Sequence, residues 1–238
     1  VVLRQLSAVF SISPRQLDYF RQSYPSIVPH YWVPNPVRAF PNETLPPEPA
    51  DLARRGNLVT FVNVGRFCRQ KGQDVLLRAF ALVHERRPDT RLKIVGYGPE
   101  QTDITMNISA LGLSGAVSIE HHPNDPSEAL RTSDVYVSAS RWEGWSLAIC
   151  EALRFGLPVV STNCEFGPAD ILVDPRLGRL SADADEADLA DKMLYYCDNI
   201  DEERAHSDFR RTYVNRFDAS RVVPLHAHAL MQAAGQVW

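Results

Sequence analysis

The sequence predicts an α/β fold, with a parallel sheet covered by helices on both faces and a helical C-terminal segment. Three observations carry this expectation. Short β-rich apolar runs alternate with segments of helical spacing from Asn57 to Ser161, the pattern that right-handed βαβ units produce. Proline crowds a single stretch, at Pro25, Pro29, Pro34, Pro36, Pro41, Pro46, Pro47 and Pro49. Beyond Asp185 the chain reads as helical to its end, broken at Phe217-Asp218 into two helices.

Taken in order, Val9 to Ile12 is a short apolar run. Ser13 suits a helix cap and Pro14 the first turn of a helix reaching about Gln22. The proline-dense stretch reads as a connection between two bodies over residues 23–56, because proline lacks the amide that a sheet or helix interior needs. Strands follow at Val59–Val64, Leu92–Val95, Val117–Ile119, Asp134–Ser138 and Leu157–Ser161. Between them lie a helix over Gln73–Arg87, with Val75, Leu76, Ala79, Phe80, Leu82 and Val83 at helical spacing, and others over Gln101–Leu111, Pro126–Arg131 and Ser146–Phe155.

Composition excludes several classes. Lys and Arg number 25 against 29 Asp and Glu, a net charge of −4, where a nucleic-acid-binding domain carries a basic excess. A hydrophobic fraction of 45% suits a packed core. No apolar run approaches a membrane span, and the N-terminal residues do not have the pattern of a signal peptide. Cys68, Cys150, Cys164 and Cys197 form no C-x-x-C pair and have no His at zinc-ligand spacing. A reduced, cytoplasmic setting is therefore expected. With Val1 in place of Met, an excised or processed piece is the expectation.

Ligands of a parallel sheet gather beyond the carboxyl ends of its strands, where helix N-termini point free amides. Three segments lie there. In Val64-Gly65-Arg66-Phe67-Cys68-Arg69-Gln70-Lys71-Gly72, Gly65 lets the backbone pass close to a ligand, and Arg66 and Lys71 straddle the turn as a diphosphate clamp or as two solvated cations. Gly96-Tyr97-Gly98-Pro99 is a tight βα turn with Pro99 opening the next helix; it is no dinucleotide fingerprint, since Gln101 holds the third glycine position. Glu143 and Glu151 flank a helix start, separated by at most about 12 Å if the whole span were helical. Between them the amides of Trp145, Ser146 and Leu147 offer an anion site. Glu151 sits among apolar neighbours and needs donors, a role for ligand hydroxyls. The plainer alternative has Ser146 as an N-cap and Glu151 on a solvated face.

Glu143-x7-Glu151 resembles the E-x7-E motif of the retaining, two-domain GT-B glycosyltransferases of group 1. Val64-Gly65-Arg66 with Lys71-Gly72 resembles their donor-diphosphate turn, and Ile94-Val95-Gly96-Tyr97-Gly98-Pro99 their next βα turn. Leu157 to Thr162 with Gly167 to Leu172, Val33-Pro34-Asn35-Pro36, and Arg216-Phe217 extend the likeness from about Ser11 to the end. The resemblance implies a Rossmann-like sheet forming the C-terminal half of a GT-B fold, and a hexosyl- or N-acetylhexosaminyl-transferase active in polysaccharide biosynthesis. It implies a nucleotide-diphosphate sugar as substrate and a glycan, lipid-linked or small-molecule acceptor. No cofactor or metal is implied, and no nucleic-acid partner or transmembrane segment. It gives Arg66, Lys71 and Glu143 as catalytic residues, and adds Gly65, Trp145, Ser146, Leu147 and Glu151 to the donor site. Glu143 would engage the sugar and Glu151 the ribose.

On this reading residues 1–22 are a remnant of the N-terminal acceptor domain, 57–200 the donor-binding domain, and 201–238 helices returning toward the missing domain. The site is expected in the cytoplasm, with peripheral attachment at the inner membrane face a further option. The loop Ile119-Glu120-His121-His122-Pro123-Asn124 departs from the family pattern, where a glycine ends the strand; its histidines are expected as loop residues. Asp183-Ala-Asp185 imitates a D-x-D metal motif and is expected to decorate the next helix start. Three rivals remain: a non-catalytic nucleotide-sugar module, a sugar-nucleotide epimerase sharing the two-domain fold, and a serine hydrolase whose elbow is Gly144-Trp145-Ser146-Leu147-Ala148, partnered by Asp174 or Asp191 and His206, His226 or His228.

Overall fold

The computed structural model describes residues 6–23, 28–40, 58–122 and 125–235. The N-terminal part holds β1 (Val9–Ser11), α1 (Pro14–Ser23) and β2 (His30–Trp32). The sheet domain runs β3 (Val59–Val64), α2 (Gln73–Arg86), β4 (Thr90–Val95), α3 (Gln101–Ala110), β5 (Val117–Glu120), α4 (Ser127–Arg131), β6 (Val135–Ser138), α5 (Leu147–Arg154), β7 (Val159–Thr162), α6 (Pro168–Ile171) and β8 (Gly178–Ser181). It ends with α7 (Glu186–Arg204), α8 (Ser207–Val214) and α9 (Ala219–Ala233).

Six parallel strands lie in the order β5-β4-β3-β6-β7-β8. Alternation along each strand divides the apolar side chains between two cores. Phe61, Leu92, Ile94, Val135, Val137 and Val160 face α2, α3 and α7, while Val62, Val95, Tyr136 and Val159 face α5, α8 and α9. A strand buried on both faces reads as a nearly continuous apolar run, here interrupted by Thr60 and Asn63, which is why Val59–Val64 was legible from sequence.

Several expectations are corrected. The proline-dense stretch does enter a sheet: β2 pairs in parallel with β1. Pro29 sits at its edge, where its carbonyl accepts from the Val9 amide at 3.0 Å and no proline N–H is needed. Residues 24–27 and 41–57 of the expected connection lie outside the described residues. A sixth strand, β8, escaped the sequence reading because Gly178-Arg179-Leu180-Ser181 carries a single apolar residue. Tertiary pairing creates it. A Cβ on Gly178 would stand 2.2 Å from the Val159 carbonyl oxygen, so only glycine permits this register. The Arg179 guanidinium lies 3.5 Å over the Tyr195 ring, covering an edge strand with a charged stem. The C-terminal segment holds three helices, the extra break falling at Ala205-His206, and Asp218 caps α9 as the expected Phe217-Asp218 break requires.

The chain crosses itself behind the sheet. The Val37 amide donates to the Phe217 carbonyl at 2.9 Å, and Val37 forms an isolated parallel bridge with Asp218. His226 Nε2 donates to the Pro34 carbonyl at 2.7 Å. The helical segment thus packs against residues 34–37.

Arg210 is wholly buried, ion-paired with Glu203, and donates to the carbonyls of Arg176, Gly156 and Glu203. It joins α8 to α7 and to the loops before β7 and β8. Arg210→Met should cost about 3–5 kcal/mol, because it strands a buried carboxylate and three carbonyls; urea unfolding measures this, and a loss under 1 kcal/mol would mean the pair is relaxed by water (about one hydrogen bond's worth).

Candidate functional site

Sheet order reverses between β3 and β6, and the predicted residues follow these two strands. Beyond β3 the chain makes a single 3-10 turn, Arg69–Lys71, and ends it at Gly72 in the left-handed region, φ 62°. A Cβ there would lie 2.1 Å from the Ala139 carbonyl oxygen. Gly72 therefore lets the β3 turn press against the end of β6. The contact is secured by the Arg141 amide to the Gln70 carbonyl (2.8 Å), Gln70 Nε2 to the Trp142 carbonyl (2.9 Å), and a two-bond Arg141–Asp74 pair at 2.9 and 2.7 Å.

This closure brings Lys71 and Glu143 together. Lys71 Nζ stands 2.5 Å from Glu143 Oε1, and Ser140 Oγ donates to the same oxygen at 2.9 Å. The Glu143 side chain is only 6% exposed. Ser140 is held in turn by Thr162 Oγ1, which donates to its carbonyl at 2.6 Å. The Lys71 stem passes over Gly65, where a Cβ would meet its Cγ at 3.4 Å.

Beside this cluster opens a cleft of about 240 Å³, walled by Gly65, Arg66, Gly96, Tyr97, His122 and Arg38. Arg66 is exposed, and among the described residues its guanidinium makes no ion pair. Of the two cations expected to converge, Arg66 faces the cleft and Lys71 is engaged by Glu143. The Gly96-Tyr97-Gly98 turn serves backbone approach, since Cβ atoms on Gly96 and Gly98 would stand 2.0 Å and 2.4 Å from the Gly65 and Phe67 carbonyl oxygens. Pro99 precedes the helix in a turn; α3 begins at Gln101. A second cavity, about 270 Å³, opens at the other end of the strands near Val59, and none of the predicted site residues lines it.

Ser146 is the N-cap of α5 and is buried; the helix begins at Leu147, one residue later than expected. The Trp145 ring is turned into the core, edge-on to Phe217 at 4.9 Å. Its side chain is structural, leaving only its backbone for a ligand. Among the described residues the amides of Ser146 and Leu147 donate to no protein group. No hydrogen bond joins Ser146 to a histidine among the described residues, and His226 is spent on Pro34; the hydrolase arrangement is not assembled.

Glu151 already has a donor. Arg38 Nε holds its Oε1 at 2.8 Å, where ligand hydroxyls had been expected. Burial raises the Glu151 pKa, while Arg38 and Arg154 pull it back. Tyr136 feels both acids: burial, then Glu143 and Glu151, push its phenol far above the usual range, so it stays neutral and donates to the Val64 carbonyl at 3.3 Å. Arg38 and Ser140 were missed by sequence reasoning. Ser140 carried a faint signal, three residues before Glu143 at a strand exit; Arg38, 113 positions from its partner, carried none.

His121 stacks edge-on with Tyr97, and His122 pairs with Glu120 at 3.2 Å on the cleft wall; Pro123 and Asn124 lie outside the described residues. Asp185 caps α7, accepting from the amides of Ala187 and Asp188. All four cysteines are free thiols, and burial with Glu143 and Asp183 nearby raises Cys164 to about 12. Among the described residues no helix is long and apolar enough to cross a membrane.

A doubly wound sheet with charged side chains gathered at its switch point defines the Rossmann-like domain of the GT-B architecture. The chain belongs to the glycosyl transferases group 1 family, whose model matches residues 46–209. An uncharacterized glycosyltransferase of Methanocaldococcus jannaschii is 34% identical over 146 residues, covering 61% of this chain and 36% of that protein. Among solved structures, a Staphylococcus aureus TarM variant in complex with Fondaparinux, alpha-GlcNAc-glycerol and UDP superposes with a TM-score of 0.82 at 19% identity, over 94% of this chain and 44% of that one. Anabaena Alr3699/HepE in complex with UDP and glucose gives 0.79 at 20% identity, over 95% and 63%. The chain spans about a third of the length of the curated relatives it matches (36%, 36% and 34% of the first three).

Gly72→Ala should destabilise the domain by more than the roughly 1–2 kcal/mol of a left-handed non-glycine residue, because its methyl also meets a carbonyl. A melting temperature unchanged from the parent would show that the β3 turn is not pressed on β6 as described.

Proposed function

We propose that this chain is the donor-binding half of a retaining glycosyltransferase, which moves a sugar from a nucleotide-diphosphate sugar to a glycan, lipid-linked or small-molecule acceptor. The observation that carries this reading is the Lys71–Glu143–Ser140 cluster directly beside the Arg66-walled cleft. The cluster adjoins the cleft through the Lys71 stem, which passes over Gly65, and α5 begins four residues after Glu143.

Glycosyl transfer breaks the bond from the sugar carbon to the diphosphate oxygen. Negative charge grows on the leaving phosphate while the sugar carbon becomes positive. Donors aimed at that oxygen stabilise the transition state more than the ground state. Arg66 supplies a planar guanidinium and Lys71 an ammonium already fixed by Glu143. The Ser146 and Leu147 amides add the positive end of α5. Charge-assisted hydrogen bonds contribute roughly 1.5–3 kcal/mol each, enough in sum for this set to serve without a metal ion. Glu143 has one oxygen shared between Lys71 and Ser140, and its other oxygen is suited to a sugar hydroxyl. Glu151 takes the ribose. Relatives named for glucosyl and N-acetylglucosaminyl transfer to polymers, such as the poly(glycerol-phosphate) alpha-glucosyltransferase of Bacillus subtilis, support a hexosyl or N-acetylhexosaminyl donor. The acceptor and its side of the cleft belong to the rest of the protein, so the isolated chain binds donor with little or no transfer.

A thermal-shift panel with UDP-, GDP- and ADP-sugars tests the reading. One of the three should raise the melting temperature, by about 2.7 kcal/mol of stabilisation at a hundredfold excess over Kd. Arg66→Ala combined with Lys71→Ala should abolish the shift while the circular dichroism spectrum stays that of a folded chain. A shift that survives in the double variant rules out the clamp, and measurable turnover by the isolated chain contradicts the division of labour.

A further inference from the structure

Arg38 enters the donor cleft from outside the sheet domain. Its backbone belongs to the segment that crosses the C-terminal helices: the neighbouring Val37 amide donates to Phe217, and the Val37 carbonyl accepts from Arg154 Nη2 at 3.2 Å. From there the side chain lies over the Phe40 ring, 4.3 Å from its centroid, and Phe40 packs on Phe155 at 5.4 Å. The guanidinium reaches Glu151 with Nε and stands on the cleft wall with Arg66 and His122. The Arg38 side chain is 46% exposed and Glu151 only 12%. A half-open cation therefore caps a nearly closed carboxylate.

We propose that Arg38 is a positioning residue of the donor site: it keeps Glu151 an ionised, oriented hydrogen-bond acceptor for the sugar hydroxyls of a nucleoside diphosphate, and adds a second guanidinium to the cleft wall beside Arg66. This rests on the donor-binding reading and goes beyond it, since it makes a crossing-segment residue part of the site. A carboxylate buried to this degree without a cation reverts to its neutral acid, and a neutral acid is a poor acceptor for two hydroxyls. Arg38 opposes this without blocking the cleft, because its planar head is anchored by a stem packed on Phe40.

Five groups among the described residues face Glu151. Arg38 comes from the crossing segment, Asp125 from the loop before α4, Tyr136 from β6, and Arg154 and Cys150 from α5 itself. Asp125 opposes ionisation and Arg154 favours it, but Arg154 is already committed to Asp218 and Val37. Burial raises the Glu151 pKa and Arg38 is the foremost group lowering it. Removing Arg38 must then move the Glu151 titration upward, so ligand affinity, which needs the carboxylate, is lost at a higher pH as the solution is acidified.

The test is calorimetric titration of UDP, GDP and ADP into the chain, Arg38→Gln and Glu151→Gln between pH 5 and 8. For the diphosphate that binds the parent most tightly, Arg38→Gln should weaken binding about ten-fold at pH 7.5. Its acid-side loss should begin about one pH unit above the parent's. Glu151→Gln should remove that acid-side loss. Arg38→Met, which keeps the stem on Phe40, takes the place of Arg38→Gln if the latter does not fold. Equal or tighter binding with an unmoved pH profile overturns the role given to Arg38, while the donor reading stands. Failure of all three diphosphates to bind the parent removes both.

Discussion

Everything at the carboxyl edge of the sheet depends on one close contact, the backbone of Gly72 against the Ala139 carbonyl. Two strands adjacent in a sheet, with partners Phe61 and Val135 74 positions apart in sequence, send their exits in the same direction, and only a residue without a side chain lets those exits touch. Once they touch, Lys71 and Glu143 are placed at ion-pair distance with Ser140 beneath them. A buried acid of this kind is held in its ionised form by the cation and hydroxyl that share it. The pairing also explains why Lys71 is not a free cation in the cleft. It is pre-oriented, and on the proposed donor reading an incoming diphosphate would find its position already set.

α5 is the other organising element. One face packs Ile149, Ala152 and Leu153 into the core behind the sheet. From the opposite side Glu151 and Arg154, three apart and so neighbours on the helix surface, reach the chain crossing: Glu151 to Arg38, Arg154 to Val37 and Asp218. The helix that starts at the candidate site is thereby tied to the segments that enter and leave the domain. Candidate site and crossing share one helix of eight residues.

Long apolar runs such as Val59–Val64, and the helical spacing of Gln73–Arg86, were legible because burial on both strand faces, or along one helix stripe, imprints a periodicity. β8 was not, since its stability comes from pairing with Val159–Thr162 and from a glycine that admits a neighbour's carbonyl. β2 was hidden by its flanking prolines, which sit where no amide is required. In the site, Gly65, Arg66, Lys71, Glu143 and Glu151 were all visible as residues after strands or at a helix start. Only the amide of Trp145 was read as ligand-side; its side chain is core, because an aromatic ring gains more from packing on Phe217 than from solvent.

Local chemistry, then, determined the alternation of elements, the parallel sheet and the charged residues beyond its strands, since each follows from spacing within a few dozen residues. Only the folded chain decided who pairs with whom. Lys71 with Glu143, Arg38 with Glu151 and Arg210 with Glu203 are choices made by burial. A charge withdrawn from water takes the opposite charge that the tertiary path delivers to it, and that path is not written in any local pattern.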